Sequence, residues 1–167
     1  MKISFKFVLT TILLIATSIS AQEKLGVIGK TYEDGAPVIF KFVNELPSKA
    51  IREKLTWLTV ISWKYDGTSN NGMPLEEENK KMLMLEDTIQ KDIEKEGILR
   101  HAYSRTGNNL KELVYYIHDR EEFIQMLNQS LSSHPRYAID IDFYEDKKWE
   151  DFKKLLNNFS KVNNKQQ

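Results

Sequence analysis

Ile98-Leu-Arg-His-Ala-Tyr-Ser-Arg-Thr-Gly-Asn-Asn-Leu-Lys-Glu-Leu-Val-Tyr-Tyr-Ile-His118 decides the fold of this chain. Two runs rich in β-branched and aromatic residues flank Gly107-Asn108-Asn109, whose residue types suit a tight hairpin loop. Centring the hairpin on Asn108 makes the numbers of cross-strand partners sum to 216. Leu99, His101 and Tyr103 then share a face with Leu113, Tyr115 and Ile117. Ile98, Arg100, Ala102 and Ser104 share the other with Glu112, Val114, Tyr116 and His118, so Arg100 lies opposite Tyr116 and Ser104 opposite Glu112. The first face is the more apolar and is expected to receive helices. The second is mixed, and either binds a ligand or partner or is covered by the last helix.

Upstream, Trp57 to Tyr65 is the strongest strand, apolar on both faces, as expected of an inner strand covered on two sides. The polar loop Asp66 to Pro74 follows. A long helix then begins with Pro74 at its first position and with Glu76, Glu77 and Glu78 where the helix dipole favours negative charge. Met82, Leu85, Ile89 and Ile93 recur at three- and four-residue steps and define its buried face, and Gly97 is the stop. Downstream, Asp119 caps a helix with Phe123, Met126, Leu127 and Leu131 on one side, ended by His134-Pro135. Tyr137 to Tyr144 alternates as a strand. Asp146 caps a last helix bearing Trp149, Phe152, Leu156 and Phe159. Before all of these, Leu25 to Tyr32 and Val38 to Val43 form a hairpin about Asp34-Gly35, and Asn44 to Lys54 is a connection. The expected fold is α+β: a ferredoxin-like βαββαβ antiparallel sheet with helices on one face, plus an N-terminal β-hairpin and a C-terminal helix.

The first 21 residues read as a signal peptide. Lys2 and Lys6 precede the apolar run Phe7 to Ala16, and small residues lead to Ala21 and the polar Gln22-Glu23-Lys24. The apolar run is shorter than the ~20 residues of a membrane-spanning helix. Removing residues 1–21 from 167 leaves 146, a single-domain length, with residues 22–159 as the domain and 160–167 as a disordered polar tail. The net charge of 0 becomes −2, because the leader carries two lysines and no acids. Such a balance speaks against nucleic acid as a partner. Cysteine is absent, which excludes disulfides, thiolate catalysis, zinc–thiolate sites and a lipid-acceptor cysteine. A soluble, periplasmic or secreted protein without membrane attachment after leader cleavage is expected.

The span from about Pro37 to Phe159 resembles a bacterial family known as domain of unknown function 695. The resemblance rests on the Trp57-Leu-Thr-Val-Ile-Ser-Trp63 strand, the Asn71-Gly72-Met73-Pro74 loop and the Leu85-Glu86-Asp87 helix segment. It continues through the Thr106-Gly107-Asn108 turn, the Leu113-Val114-Tyr115-Tyr116 strand ending at Asp119, and Trp149. It implies a ferredoxin-like fold and brings no activity or catalytic residues. A more distant similarity, to inhibitor proteins that regulate ribonuclease E, implies a cytoplasmic partner, which the export signal opposes.

Chemistry-bearing motifs are sparse. No Gly-x-Ser-x-Gly elbow, Ser-x-x-Lys, His-Glu-x-x-His or phosphate-cradling glycine loop occurs. No catalytic residue, metal site or cofactor is therefore assigned. His101 reads as a hydrogen-bonded core histidine, and Asp140, Asp142, Glu145 and Asp146 read as a solvated acidic run rather than a calcium loop. The leading expectation is a non-enzymatic module that binds an envelope or secreted protein through its sheet face or an edge strand. The alternative is a ligand-binding or hydrolase-like domain. It would use the Asp66–Pro74 loop with Asn70 and Asn71, and Arg100, Tyr116 and His118 on the adjacent sheet face.

Overall fold

The computed structural model describes residues 26–94 and 97–163, the last three of these without their side chains. The expected leader lies outside the described residues. Six strands form one sheet: β1 (Gly26–Glu33), β2 (Ala36–Val43), β3 (Trp57–Lys64), β4 (Leu99–Gly107), β5 (Leu110–Ile117) and β6 (Asp140–Glu145). Their spatial order is β1-β2-β4-β5-β3-β6, and every neighbouring pair is antiparallel. The N-terminal hairpin thus continues the sheet, because β2 pairs with β4, and β1 and β6 are the two edges. Among the described residues the sheet is joined by four α-helices, α1 (Lys49–Lys54), α2 (Glu76–Asp92), α3 (Arg120–Ser130) and α4 (Glu150–Asn163), and by a single 3-10 turn at Thr68–Asn70.

The sheet has a core on each face. On the first, Met82, Leu85, Ile89 and Ile93 of the α2 region pack with Phe123 and Leu127 of α3 against Ile61, Leu99, Leu113, Tyr115 and Ile117. Each fully buried apolar side chain of this kind contributes about 1.5–3 kcal/mol. On the second, Trp149 and Phe152 cover Leu58, Ala102, Val114 and Tyr116. Strand β3 feeds both cores, with Ile61 and Trp63 on one side and Leu58 on the other, as its two-sided apolarity predicts.

The β4–β5 hairpin departs from the expected register. Asn108 and Asn109 both have positive φ, at 50° and 62°, so the turn has two residues and Gly107 belongs to the strand, opposite Leu110. Gly107 is required there, since a Cβ would lie 2.2 Å from the Pro37 carbonyl oxygen. A bulge at Ala102 then restores the predicted pairing of Arg100 with Tyr116. Between turn and bulge, Arg105 faces Glu112 and Ser104 faces Leu113, in place of the expected Ser104–Glu112 pair. Tyr103 accordingly packs with the second core rather than the first.

Other boundaries shift locally. Helix α2 starts at Glu76 with Leu75 as its N-cap, so Pro74 lies outside the helix, where its carbonyl accepts from the Asn70 side-chain amide at 3.2 Å. Helix α4 runs through Asn163, past the expected start of a polar tail at residue 160. The caps hold as read. Asp119 accepts from the Glu122 amide at 2.9 Å, and Asp146 accepts from the Glu150 and Asp151 amides at 2.9 and 3.0 Å.

Candidate functional site

The residues singled out in the sequence do not converge. The Asp66–Pro74 loop is folded onto the β4–β5 turn. The Gly67 amide donates to Asn109 Oδ1 at 2.8 Å, the Asn109 amide to the Gly72 carbonyl at 2.9 Å, and the Tyr65 hydroxyl to that same carbonyl at 2.9 Å. The Asn70 and Gly72 amides both donate to the Gly67 carbonyl, and that of Met73 to the Asn70 carbonyl. Asn71 supplies the left-handed residue, with φ 54°. The backbone amides of Gly67, Asn70, Gly72 and Met73 and the side-chain amide of Asn70 are spent within this loop and on its contact with the turn. Arg100, Tyr116 and His118 lie at the other end of the hairpin. Six steps along β5 separate Leu110, beside the turn, from Tyr116, about 20 Å of extended strand.

Those three residues serve separate purposes. Tyr116 is fully buried, its ring stacked on Trp149 with centroids 3.7 Å apart, and its hydroxyl donates to Asp146 Oδ2 at 2.7 Å. Burial pushes the Asp146 carboxyl up, but the Asp151 and Glu150 amides and the Tyr116 hydroxyl hold it below the usual carboxylate range. Arg100 is exposed and reaches Glu94 at 3.5 Å. His118 sets Nδ1 3.1 Å from the Lys54 carbonyl and borders a broad polar groove of about 930 Å³ beside Lys91 and Glu122. The mixed second face of the sheet is closed by α4.

A different constellation does converge, on the first face. Between α2 and strands β2, β4 and β5 lies a cavity of about 200 Å³, lined among others by Lys41, Glu86, Gln90, Glu94, His101 and Tyr115. Its rim is exposed at Gly26, Lys41 and Gln90, and its floor is buried at Glu86 and Tyr115. Beneath it Glu86 and Lys111, 6% and 5% exposed, form an ion pair at 2.9 Å, and Lys41 approaches the other Glu86 oxygen at 3.5 Å. Burial pushes the Glu86 carboxyl up, but Lys111 and then Lys41 outweigh it and hold it below its ordinary value. Each charge is thereby answered by a neighbour.

Two polar atoms in this region have no answer. The Tyr115 hydroxyl and His101 Nε2 are buried without a hydrogen-bond partner, and the two rings meet edge to face with centroids 5.4 Å apart. Burial pushes the Tyr115 hydroxyl well up, with Glu86 and Glu94 adding to it, so the phenol keeps its proton. Burial brings the His101 imidazole down to about 4, Glu86 opposing, Lys41 and Lys111 assisting, and the Tyr103 backbone contact opposing. His101 is thus neutral in the folded protein at pH 7. Unfolded, it takes a proton near pH 6.5. Between these values the unfolded chain binds more protons, so stability falls with acidification. The loss attributable to His101 is of order 3 kcal/mol from pH 7 to 4. Urea unfolding at both pH values should show a smaller difference for His101→Gln than for the wild type.

Sequence reasoning placed His101 and Tyr115 on the apolar face but not their unmet polar atoms. Lys111 carried a usable signal: by alternation it joins Leu113, Tyr115 and Ile117 on the face that the helices cover. Glu86 likewise sits beside Leu85, within a turn of both Met82 and Ile89, on the core side of α2.

The architecture defines an α+β protein with one six-stranded antiparallel sheet sandwiched between α2 and α3 on one face and α4 on the other. Residues 31–157 match the model of the Family of unknown function (DUF695), and the chain belongs to that family. No curated protein and no solved structure matches.

Proposed function

We propose that this is an exported, non-catalytic binding domain that holds a small polar molecule in the cavity between α2 and strands β2, β4 and β5. The carrying observation is the pair of buried polar atoms without partners, Tyr115 Oη and His101 Nε2. An unmet buried polar group costs about 1–3 kcal/mol, and a bound molecule that meets both recovers that cost. At about 200 Å³ the cavity is smaller than the ~300–1,000 Å³ pockets of drug-sized ligands, so the occupant is small. Binding rather than turnover fits a cluster whose carboxylate and lysines are engaged with one another. Export rests on the leader-like residues 1–21. At the level of fold, the segment from β3 to β6 reads as a ferredoxin-like unit, supported by α2 and α3 on one face and by β3 and β5 as its inner strands.

The test is a thermal-shift screen of small metabolites on wild type and Tyr115→Phe, which removes only the hydroxyl. Compounds that raise the wild-type midpoint by several degrees should leave the variant unmoved. Equal shifts in both proteins, or none in either, refute the reading.

A second reading, a module that binds an envelope or secreted protein, is favoured by one observation. Edge strand β1 exposes Ile28 at 75% and Tyr32 at 66% on the same side. An extended segment of a partner could add there as a further strand. Ile28→Glu with Tyr32→Glu should abolish such an interaction without lowering thermal stability.

A further inference from the structure

We propose that this chain forms a symmetric dimer in which helix α2 of each copy lies on the β1–β2 hairpin of the other, a reading that does not depend on a cavity ligand. Among the described residues six large apolar side chains are exposed. Five of them, Ile28, Tyr32, Leu75, Leu83 and Met84, belong to β1 and the α2 region. Ile28 and Tyr32 share one face of the hairpin with Lys30 and, across the strand pair, with Pro37, Ile39 and Lys41. The opposite face is covered by α4, since a Cβ on Gly29 would strike the Phe159 ring. The first face has no such cover at β1, and Ile28 and Ile39 belong to neither core.

The result is a step. Ahead of α2, a Cβ on Gly72 would lie 3.4 Å from that of Ala36, and within α2 Glu86 is approached by Lys41 at 3.5 Å. Strand β2 and helix α2 therefore run side by side in the same direction. Leu83 precedes Glu86 by three residues and lies on the same flank, above the hairpin. Met84 and Asp87 are exposed on the side turned away from buried Met82, Leu85 and Ile89. The floor of the step is two strands, about 10 Å wide. A helix with its side chains is about 10–12 Å across, so an α2 from a second copy fits that floor. A two-fold axis parallel to the strands seats the first α2 on the second hairpin at the same time.

The charges favour a second copy over another occupant. On the floor, Lys30 has only its own Tyr32 ring, 5.0 Å away, while Glu33 is on the other face with Arg105. On the outer side of α2, Lys80 is matched by Glu76 and Glu77. Asp87, beside Met84, has no cation among the described residues. Each copy thus carries an apolar floor with a spare cation and an apolar ridge with a spare anion. That is the self-complementarity an isologous interface requires. Strand addition at the β1 edge, by contrast, leaves Leu83, Met84 and Asp87 unused.

Sedimentation velocity on the mature chain tests the dimer. A contact two strands wide and one helix long is at the small end of stable interfaces, so association is expected between about 1 and 200 µM. Ile28→Glu and Met84→Lys should each weaken it about tenfold or more. Tyr144→Glu, at the exposed apolar residue outside the step, should leave it unchanged. Mixing Ile28→Glu with Met84→Lys leaves one of the two contacts native and sets the two introduced charges, of opposite sign, against each other in the second. The mixture should dimerise at concentrations where neither variant does alone, with circular dichroism confirming that both are folded. A wild type that stays monomeric to about 200 µM overturns the dimer. A dimer indifferent to Met84→Lys, or a mixture that stays monomeric, overturns the seating of α2 on the hairpin. None of these results bears on the comparison of wild type with Tyr115→Phe, so the cavity reading stands or fails separately.

Discussion

Replacing Trp149 with alanine is expected to lower the unfolding free energy by about 3–5 kcal/mol, the range for deleting a large buried aromatic side chain. The indole is fully buried, stacks on the Tyr116 ring with 8° between their planes, and lies edge-on to Phe152. Its Nε1 donates to the Leu55 carbonyl at 2.9 Å and lies 3.3 Å from that of Arg52, so it ties α4 to the end of α1. Truncation therefore removes packing, opens a cavity beneath α4 and leaves the buried Leu55 carbonyl without its donor. Trp149 also holds a left-handed backbone, φ 58°, that alanine adopts no more readily. Trp149→Phe keeps an aromatic contact but loses the N–H and part of the buried ring, and should cost less than alanine, about 1–3 kcal/mol. Urea unfolding followed by circular dichroism measures both. A loss below 1 kcal/mol for the alanine variant would mean that α4 is not what closes the second face.

This closure was partly legible in the sequence. Trp149, Phe152, Leu156 and Phe159 fall at helical spacing, and Val114 and Tyr116 at strand spacing, so two apolar surfaces of matching kind were visible. The same local logic gave the buried face of α2 and the Asp119 cap, because such patterns depend on residues within a turn or two of each other. What escaped depends on distant pairing. Nothing local in Val38 to Val43 says that β2 joins β4 at Phe42↔Tyr103 and extends the sheet to six strands. The bulge at Ala102 is equally silent, yet it sends Tyr103 to the second face, where its hydroxyl donates to Asp151 at 2.9 Å. The cavity draws on α2, β2, β4 and β5 at once. Its lining was written in single residues that break a pattern, Glu86 and Lys111, rather than in any motif. Asn70 and Asn71 sit in the loop against the turn end of the β4–β5 hairpin, whereas Arg100, Tyr116 and His118 lie toward its other end, and the extended strands hold the two groups apart.

Lys111→Met is expected to cost about 3–5 kcal/mol at pH 7, the penalty for leaving one member of a buried ion pair without the other. Glu86 would keep only Lys41, which is 60% exposed, at 3.5 Å, and so is held from the solvent side. The pH dependence separates this cause from lost packing. In the wild type the Glu86 carboxyl is held below its ordinary value, so the pair's contribution is present above the unfolded carboxylate range. It is lost as pH falls through the folded value. Without Lys111, burial acts on Glu86 with less opposition, its folded value rises, and the carboxyl can take a proton that relieves the penalty. The gap in stability between wild type and Lys111→Met should therefore narrow steadily from pH 7 toward pH 4. His101 titrates in both proteins, and the difference between them largely cancels its share. Glu86→Leu combined with Lys111→Met removes both charges and should recover most of the loss, giving a coupling of more than about 2 kcal/mol in a double-mutant cycle. A gap that stays constant with pH, or a double variant as unstable as the sum of the singles, would mean that the two charges are solvated in the folded protein. The floor of the cavity would then be wet rather than built.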